Sequence, residues 1–398
     1  MHSKSHIVVA GGGLVGLLLA CICKQSLTSS ALVTLVEREF PLSNEATLDT
    51  RATALSADSM QRLDSWGLWA GLEPSAAAIK DIHVSRYRRF GSALLSAKEQ
   101  QLDALGYVVE NKAMMGAWLD LARSLGVAIR TGVTIEGMID SDEHPSLDLS
   151  DGSRLSASLL VMADGARSPL RESLHMKTVE RAASQYAIAC NVAVSEAVDG
   201  RAFERFTQEG PLAFLPLPSS NIGHSIYNVI WCAHRATVDA LMPLSDPAFL
   251  SAMQETFGWR VGKLLACGAR GSWPLASIEA TEVTRHRCVL MGNAAHTLHP
   301  VAGQGFNLSV RDISTLADVL RDFDFERDDS VQLSQRLHDF SRSVQSDRVS
   351  TQSATSTLAS LFDTPSPVID LGAPFVLSAL DITPPVRRRI AQLGMGMR

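Results

Sequence analysis

The feature that most constrains this chain lies at its start. Ile7-Val8-Val9-Ala10 is an apolar run of the kind a buried strand requires, and it leads without a break into Gly11-Gly12-Gly13-Leu14-Val15-Gly16 and a helical stretch through Cys23. A second apolar run, Leu32-Val33-Thr34-Leu35-Val36, ends on the acidic Glu37. Strand, G-x-G-x-x-G, helix, strand and terminal acid together form a βαβ unit, which commits the N-terminal region to a parallel sheet with helices on its faces. Each glycine has its own physical task. Gly11 makes the turn, Gly13 lets a pyrophosphate approach the backbone, and Gly16 lets the helix pack closely. Glu37 can accept from a ribose hydroxyl, which suits NAD or FAD and disfavours a 2′-phosphate.

Two later stretches repeat the strand-to-turn pattern. Residues 155–171 carry the apolar run Leu159-Leu160-Val161-Met162 into Ala163-Asp164-Gly165-Ala166-Arg167-Ser168-Pro169-Leu170-Arg171. There Asp164 can accept a hydrogen bond, Gly165 tightens the exit from the strand, and Ser168 caps a helix. Residues 288–320 run from Val289-Leu290-Met291 through Gly292, Asn293, Pro300, Gly303, Gln304, Gly305, Phe306 and Asn307 into an amphipathic helix with Ile313, Leu316, Val319 and Leu320 on its apolar face. Glycines ahead of a helix let a ligand come close to the backbone. The free N–H groups and dipole of the helix start favour an electron-rich, partly anionic group.

These three stretches, in this order, resemble the fingerprints of the FAD-dependent aromatic hydroxylases, the single-component flavoprotein monooxygenases. The third resembles G-D-A-A-H-x-x-x-P-x-x-G-Q-G-x-N, with Asn293 where most of the family has Asp, a change similar to that of the ubiquinone-pathway branch. The resemblance implies bound FAD held by Gly11, Gly13, Gly16, Glu37, Asp164, Gly165, Gly292, Asn293, Gly305, Phe306 and Asn307. It also implies an arginine near the flavin, at Arg51 of Arg51-Ala52-Thr53-Ala54-Leu55-Ser56. Pro300, Gly303, Gln304 and Gly305 are assigned to the flavin-ring environment where catalysis occurs; no general base is identified. NADH or NADPH is implied as transient reductant, with O2 as the oxygen source and a phenol ring as acceptor. Residues 200–216 are similar to the substrate domain of hydroxylases that act on polyprenylated methoxyphenols, which makes a polyprenylphenol the expected substrate.

The expected fold is α/β: a Rossmann-like FAD-binding domain in two parts (1–175 and 275–345), an inserted, mainly antiparallel β-sheet substrate domain (176–274), and a C-terminal helical and apolar tail (346–398). Within 176–274 the strand-like runs 186–194, 212–217 and 225–232 support the sheet. A helix is expected over 333–349, followed by a Ser/Thr-rich stretch at 350–360. With 398 residues, the chain is long enough for two domains. Its net charge of −6 argues against a nucleic-acid partner.

The six cysteines form no CxxC pair and read as reduced thiols, which suits a cytoplasmic protein. No signal peptide is recognisable in the first residues, and no apolar run is long enough to cross a bilayer. Residues 366–398 combine Val376, Leu377, Leu380 and Ile382 with Arg387, Arg388 and Arg389, so contact with a membrane surface or a pathway enzyme is expected of this tail. No metal site is expected: His296 and His299 lack a third ligand at suitable spacing. The six tryptophans contain no W-x-W pair, which argues against a flavin halogenase. The remaining alternatives are a prenyl reductase of the same fold, a sister ring hydroxylase of the same pathway and a flavin-binding scaffold without turnover.

Overall fold

The computed structural model describes residues 6–27, 32–39, 51–88, 91–139, 144–218, 224–297, 304–325 and 329–349, with helical backbone on to 363. The chain begins with β1 (His6–Ala10), α1 (Leu14–Ile22) and β2 (Leu32–Glu37). It continues through β3 (Ala52–Ser56), α2 (Ala57–Ser65), β4 (Ala76–Ile79), β5 (Asp81–Arg86), β6 (Ser92–Ser96), β7 (Gly106–Glu110), α3 (Asn111–Ser124) and β8 (Ala128–Thr131). An antiparallel meander of β9 (Ile135–Ile139), β10 (Ser146–Leu149) and β11 (Arg154–Ser156) precedes β12 (Leu159–Met162) and α4 (Pro169–Ser173).

β1 is buried over its whole length between β12 and β2, in a sheet ordered β21-β22-β12-β1-β2-β8 once the late strands β21 (Thr284–Arg285) and β22 (Cys288–Leu290) are included. All its pairings are parallel except the β21–β22 hairpin. Strands covered on both faces must be apolar throughout, which is why Ile7–Val9 and Leu159–Met162 contain no polar residue. α1 packs against α3 and the late helix α7 (Gln304–Leu320), and the core of this domain gathers Leu17, Leu18, Ile22, Trp118, Ile313 and Leu316. Each such side chain contributes about 1.5–3 kcal/mol by leaving water. Gly67 and Gly126, both at positive φ, stop α2 and α3 where the sequence places these ends.

The second layer follows β13 (Thr178–Arg181). It comprises β14 (Tyr186–Val194), β15 (Arg201–Phe206), β16 (Pro211–Pro216), β17 (Ser225–Ala233), α5 (Arg235–Leu241), α6 (Asp246–Phe257), β18 (Leu264–Cys267) and β19 (Gly271–Pro274). The chain then returns through β20 (Ser277–Ala280), which pairs antiparallel with both β13 and β23 (His296–Thr297). The large sheet is ordered β18-β14-β17-β16-β15-β5-β6, with β19 also on β14. One face carries Phe203, Phe214, Tyr227 and Trp231 against Phe249 and Phe257 of α6, Phe214 and Phe257 stacking at 3.8 Å.

The structure differs from the sequence expectation in three places. The sheet is not confined to 176–274, because β5 and β6 join it: β5 pairs in parallel with β15, register Ile82↔Ala202 to Arg86↔Phe206. A parallel pair needs a long crossover, and the excursion between β5 and β15 through the first domain supplies it. The region also contains α5 and α6, whose signal was present: Ser245-Asp246-Pro247 starts a helix and Gly258 ends it, with Phe249, Leu250, Met253 and Phe257 buried between. Finally, α8 (Ser330–Asp363) runs past Val349 through the Ser/Thr-rich stretch, which holds neither Gly nor Pro to stop it.

Candidate functional site

The carboxyl ends of β1, β2, β12 and β22 bring the three glycine turns together, as expected for ligand crevices in parallel sheets. Gly11 has φ +99°, and a Cβ there would lie 2.4 Å from the Ala163 carbonyl oxygen and 2.9 Å from Asp164 Cα. Side-chain-free backbone is therefore what allows the first and second turns to touch. At Gly16 a Cβ would meet the Gly11 carbonyl oxygen at 1.8 Å, which fixes α1 against the turn. Gly13 is different: nothing lies within 4 Å of an added Cβ, and the residue caps α1 without a side-chain hydrogen bond. Space and helix-start N–H groups meet there. Glu37, at the end of β2, accepts from Gly12 N–H and, at 3.0 Å, from Glu39 N–H.

Asp164 opens the second turn, just after β12. Ser168 Oγ donates to its Oδ2 at 2.8 Å and also caps α4 by accepting from Arg171 N–H at 3.0 Å. Oδ1 of Asp164 is buried and has no partner among the described residues. Burial pushes this carboxyl up, and the Ser168 hydrogen bond only partly offsets it. An acceptor in that condition suits a hydroxyl donor brought by a ligand. Arg171 ties two turns together, donating from Nη2 to Ala166 O and from Nη1 to Ala294 O, each at 2.8 Å. Gly165 lies at φ +94° with open space around it.

In the third turn Gly292 has φ +60° and packs so close to Val15 of α1 that a Cβ would meet Val15 Cγ2 at 3.0 Å. Asn293 beside it is exposed. At the start of α7, Gly305 faces open space, Gln304 is buried, and Phe306 stacks on Trp118 at 6.0 Å and 19°. The Asn307 side chain also joins two elements of the protein. Its Oδ1 accepts from Ser56 N–H at 2.8 Å and its Nδ2 donates to Ala54 O at 2.9 Å, which pins β3 to the helix start. Arg51 is exposed just ahead of β3, its carbonyl accepting from Asn111 N–H. Pro300, Gly303 and His299 lie outside the described residues.

His296 Nε2 and Arg348 Nη2 each lie 3.0 Å from Asp312 Oδ2, in a fully buried network joining the third turn, α7 and α8. Burial holds the His296 imidazole below its ordinary pKa despite the Asp312 hydrogen bond. Burial would raise Asp312, but the His296 hydrogen bond and the Arg348 charge outweigh it and keep the carboxyl low. His296 thus ties the third turn to α7 and α8. No group of metal ligands occurs among the described residues.

Residues 4–327 match the FAD binding domain family. The chain is 32% identical over 320 residues to ubiquinone hydroxylase UbiL of Rhodospirillum rubrum, covering 79% of this chain and 72% of that one. The chain belongs to this flavoprotein family. It is an FAD-dependent monooxygenase of the ubiquinone-biosynthesis branch, as the fingerprints led one to expect. Similarity extends to 3-demethoxyubiquinol 3-hydroxylase of Escherichia coli, 30% identical over 332 residues and 80% of each chain. In three dimensions the fold matches p-nitrophenol 4-monooxygenase PnpA from Pseudomonas putida, with a TM-score of 0.79 over all of both chains at 20% identity. The resemblance inferred from motifs therefore holds for family, fold and cofactor.

Proposed function

We propose that this flavoprotein hydroxylates the aromatic ring of a polyprenylated methoxyphenol in ubiquinone biosynthesis, consuming NADH or NADPH and O2. The observation that carries the reading is the meeting of three glycine turns with open space at Gly13 and Gly305, and with the buried Asp164 Oδ1, unpartnered among the described residues, in the second of these turns. In this reading Gly11, Gly13 and Gly16 hold the pyrophosphate, Glu37 the ribose side, and Asp164, Gly165, Gly292 and Asn293 the ribityl chain. Gln304, Gly305, Phe306 and Asn307 shape the ring end, with Arg51 at its mouth. Bound FAD supplies the electron transfer and oxygen activation. The protein's own share is to position the ring, keep water out, and set helix-start N–H groups against the flavin edge that gains negative charge. The eight-stranded sheet is the substrate domain.

Aerobic protein with NADH or NADPH tests this directly. Nicotinamide oxidation should rise when a prenylated methoxyphenol is added, with a hydroxylated product and little peroxide. Cells lacking the protein should accumulate a polyprenyl-methoxyphenol. A second reading, hydroxylation of a sister intermediate, draws on the similarity to the 3-demethoxyubiquinol 3-hydroxylase; accumulation of a different ring intermediate would select it. No helix among the described residues is long and apolar enough to cross a membrane. Delivery of a prenylated substrate is assigned to contact of residues 366–398, which lie outside the described residues, with a membrane surface or pathway enzyme. Truncation after Thr364 should then keep the flavin and lower sedimentation with membranes or partners.

A further inference from the structure

The large sheet has two unlike faces. The face against α6 is aromatic and dry, with Phe203, Phe214 and Phe257 in contact. The opposite face follows from the register. Glu204 of β15 stands between Ala213 of β16 and Val84 of β5, and Ile230 and Ala189 continue the same row. The neighbouring row is Asn191, Asn228, Leu215, Ala202 and Ile82. Asn228 donates to Asn191 at 2.7 Å.

This face is directed to the flavin site by its own contacts. Ala202, Ile82 and Leu215 pack with Ile79, Val108, Ala52 and Ala54. Ala54 and Ser56 are the residues held by Asn307 at the start of α7, beside Gly305. Glu204 lies two residues along β15 from Ala202, about 7 Å at strand spacing.

The Glu204 carboxyl has no ion pair or hydrogen bond among the described residues. Its neighbours across the strands are small or apolar, and it is only partly open to the space over the face. Among the described residues of these strands, the titratable groups on the same face are Arg86 of β5 and Cys232 of β17, one row further on; β3, β4 and β7 present Ala52, Ala54, Ile79 and Val108 to it. Asp81, His83, Arg201 and Arg205 leave the sheet from the other side. Burial pushes the Glu204 carboxyl up to about 7. A carboxylate kept without a partner on an apolar wall costs stability and calls for a functional explanation.

We propose that Glu204 is the base that takes the phenolic proton of the substrate. The O–H bond of the bound phenol breaks, the proton passes to the Glu204 carboxylate, and the electron pair stays on the ring oxygen. The resulting phenolate is richer in electrons at the ring carbon that accepts oxygen, and the protonated carboxyl donates back to the phenolate oxygen. After hydroxylation the proton returns to the product. The assignment rests on the functional reading above and names the group that the motifs leave unnamed.

The test uses FAD-loaded wild type, Glu204→Gln and Glu204→Asp. A prenylated nitrophenol, coloured only as its phenolate, is titrated onto the oxidised proteins at neutral pH without reductant. Wild type should bind it as phenolate and Glu204→Gln as the neutral phenol, with Glu204→Asp between them; all three should keep FAD. In turnover Glu204→Gln should lose about 100-fold or more in kcat with little change in KM, and the acid limb of the wild-type pH profile should disappear. Equal ionisation of the probe on wild type and Glu204→Gln would overturn the assignment alone. A wild type that binds no prenylated phenol would overturn the functional reading and the assignment together.

Discussion

The flavin crevice and the face of the large sheet are built by opposite means. At the crevice, backbone meets backbone: Gly11 and Gly16 are glycine because carbonyl oxygens of Ala163 and Gly11 occupy the space a Cβ needs. On the sheet, side chains meet: Glu204, Ala213, Ile230 and Asn191 come from four strands, and none is forced by backbone crowding. A site made of crowded backbone writes itself into local sequence. A site made of side chains on neighbouring strands does not.

The sharpest way to break this contrast is a pair of substitutions that each add two methyl groups' worth of bulk or more. Gly16→Val should cost more than about 4 kcal/mol and yield little folded yellow protein, because the obstacle is a carbonyl and not a side chain that can move. Ala213→Val, on the open face, should cost under about 1.5 kcal/mol, keep FAD, and change only substrate affinity. Thermal melts and flavin absorbance decide both; equal damage at the two sites would erase the distinction.

Next in size is Asp164→Ala, which removes the buried acceptor and should weaken FAD binding by roughly 10- to 100-fold, from the 1.5–3 kcal/mol of a charged hydrogen bond. Titration of the apoprotein with FAD measures it, and unchanged affinity would show that Oδ1 faces no ligand.

The two regions should also differ in sign with pH. Burial disfavours the charged His296 imidazole in the folded protein, so below about pH 6.5 the unfolded chain takes up a proton more readily than the folded one, and stability falls as pH falls through that value. Glu204 works the other way: the unfolded carboxyl ionises near pH 4.5 and the folded one only at about 7, so stability is lost as pH rises between them. Glu204→Gln should therefore raise the Tm of substrate-free protein by a few degrees above pH 7 and leave the acid-side loss unaltered. No gain at high pH would remove Glu204 from the comparison.

The smallest effect is expected at Asn293. It is exposed, so Asn293→Asp should lower the flavin midpoint by only about 10 mV, taking about 0.5 kcal/mol for an exposed charge and about 30 mV per 1.4 kcal/mol for two electrons. Spectroelectrochemistry would expose a larger shift.

What sequence made legible follows the same division. The βαβ unit, the Asp164 turn and the start of α7 were readable because strand, glycine and helix stand next to one another in the chain. The roles of Asn307, Arg171 and Glu204 were not, because their partners are distant: Asn307 bonds to Ala54 and Ser56, and Arg171 to Ala294. Strand β5 was read as part of the first domain since its partner β15 lies far along the chain. For Glu204 the available signal was one acid inside the apolar alternation of Arg201-Ala202-Phe203-Glu204-Arg205-Phe206, which is indistinguishable from a solvated edge until the register is known.

The parallel pairing of β5 with β15 also sets a timetable for biosynthesis. Asp81 pairs with Arg201, so 201 − 81 = 120 residues separate the partners. At roughly 5–20 residues per second, β5 emerges from the ribosome about 6–24 s before the strand that will cover its edge. During that interval its N–H and C=O groups on that side have no partner strand, an invitation to wrong pairing. The nascent chain is therefore most vulnerable in mid-synthesis, while the first domain is already taking shape, and a chaperone acting then would do more for yield than one acting on the finished protein.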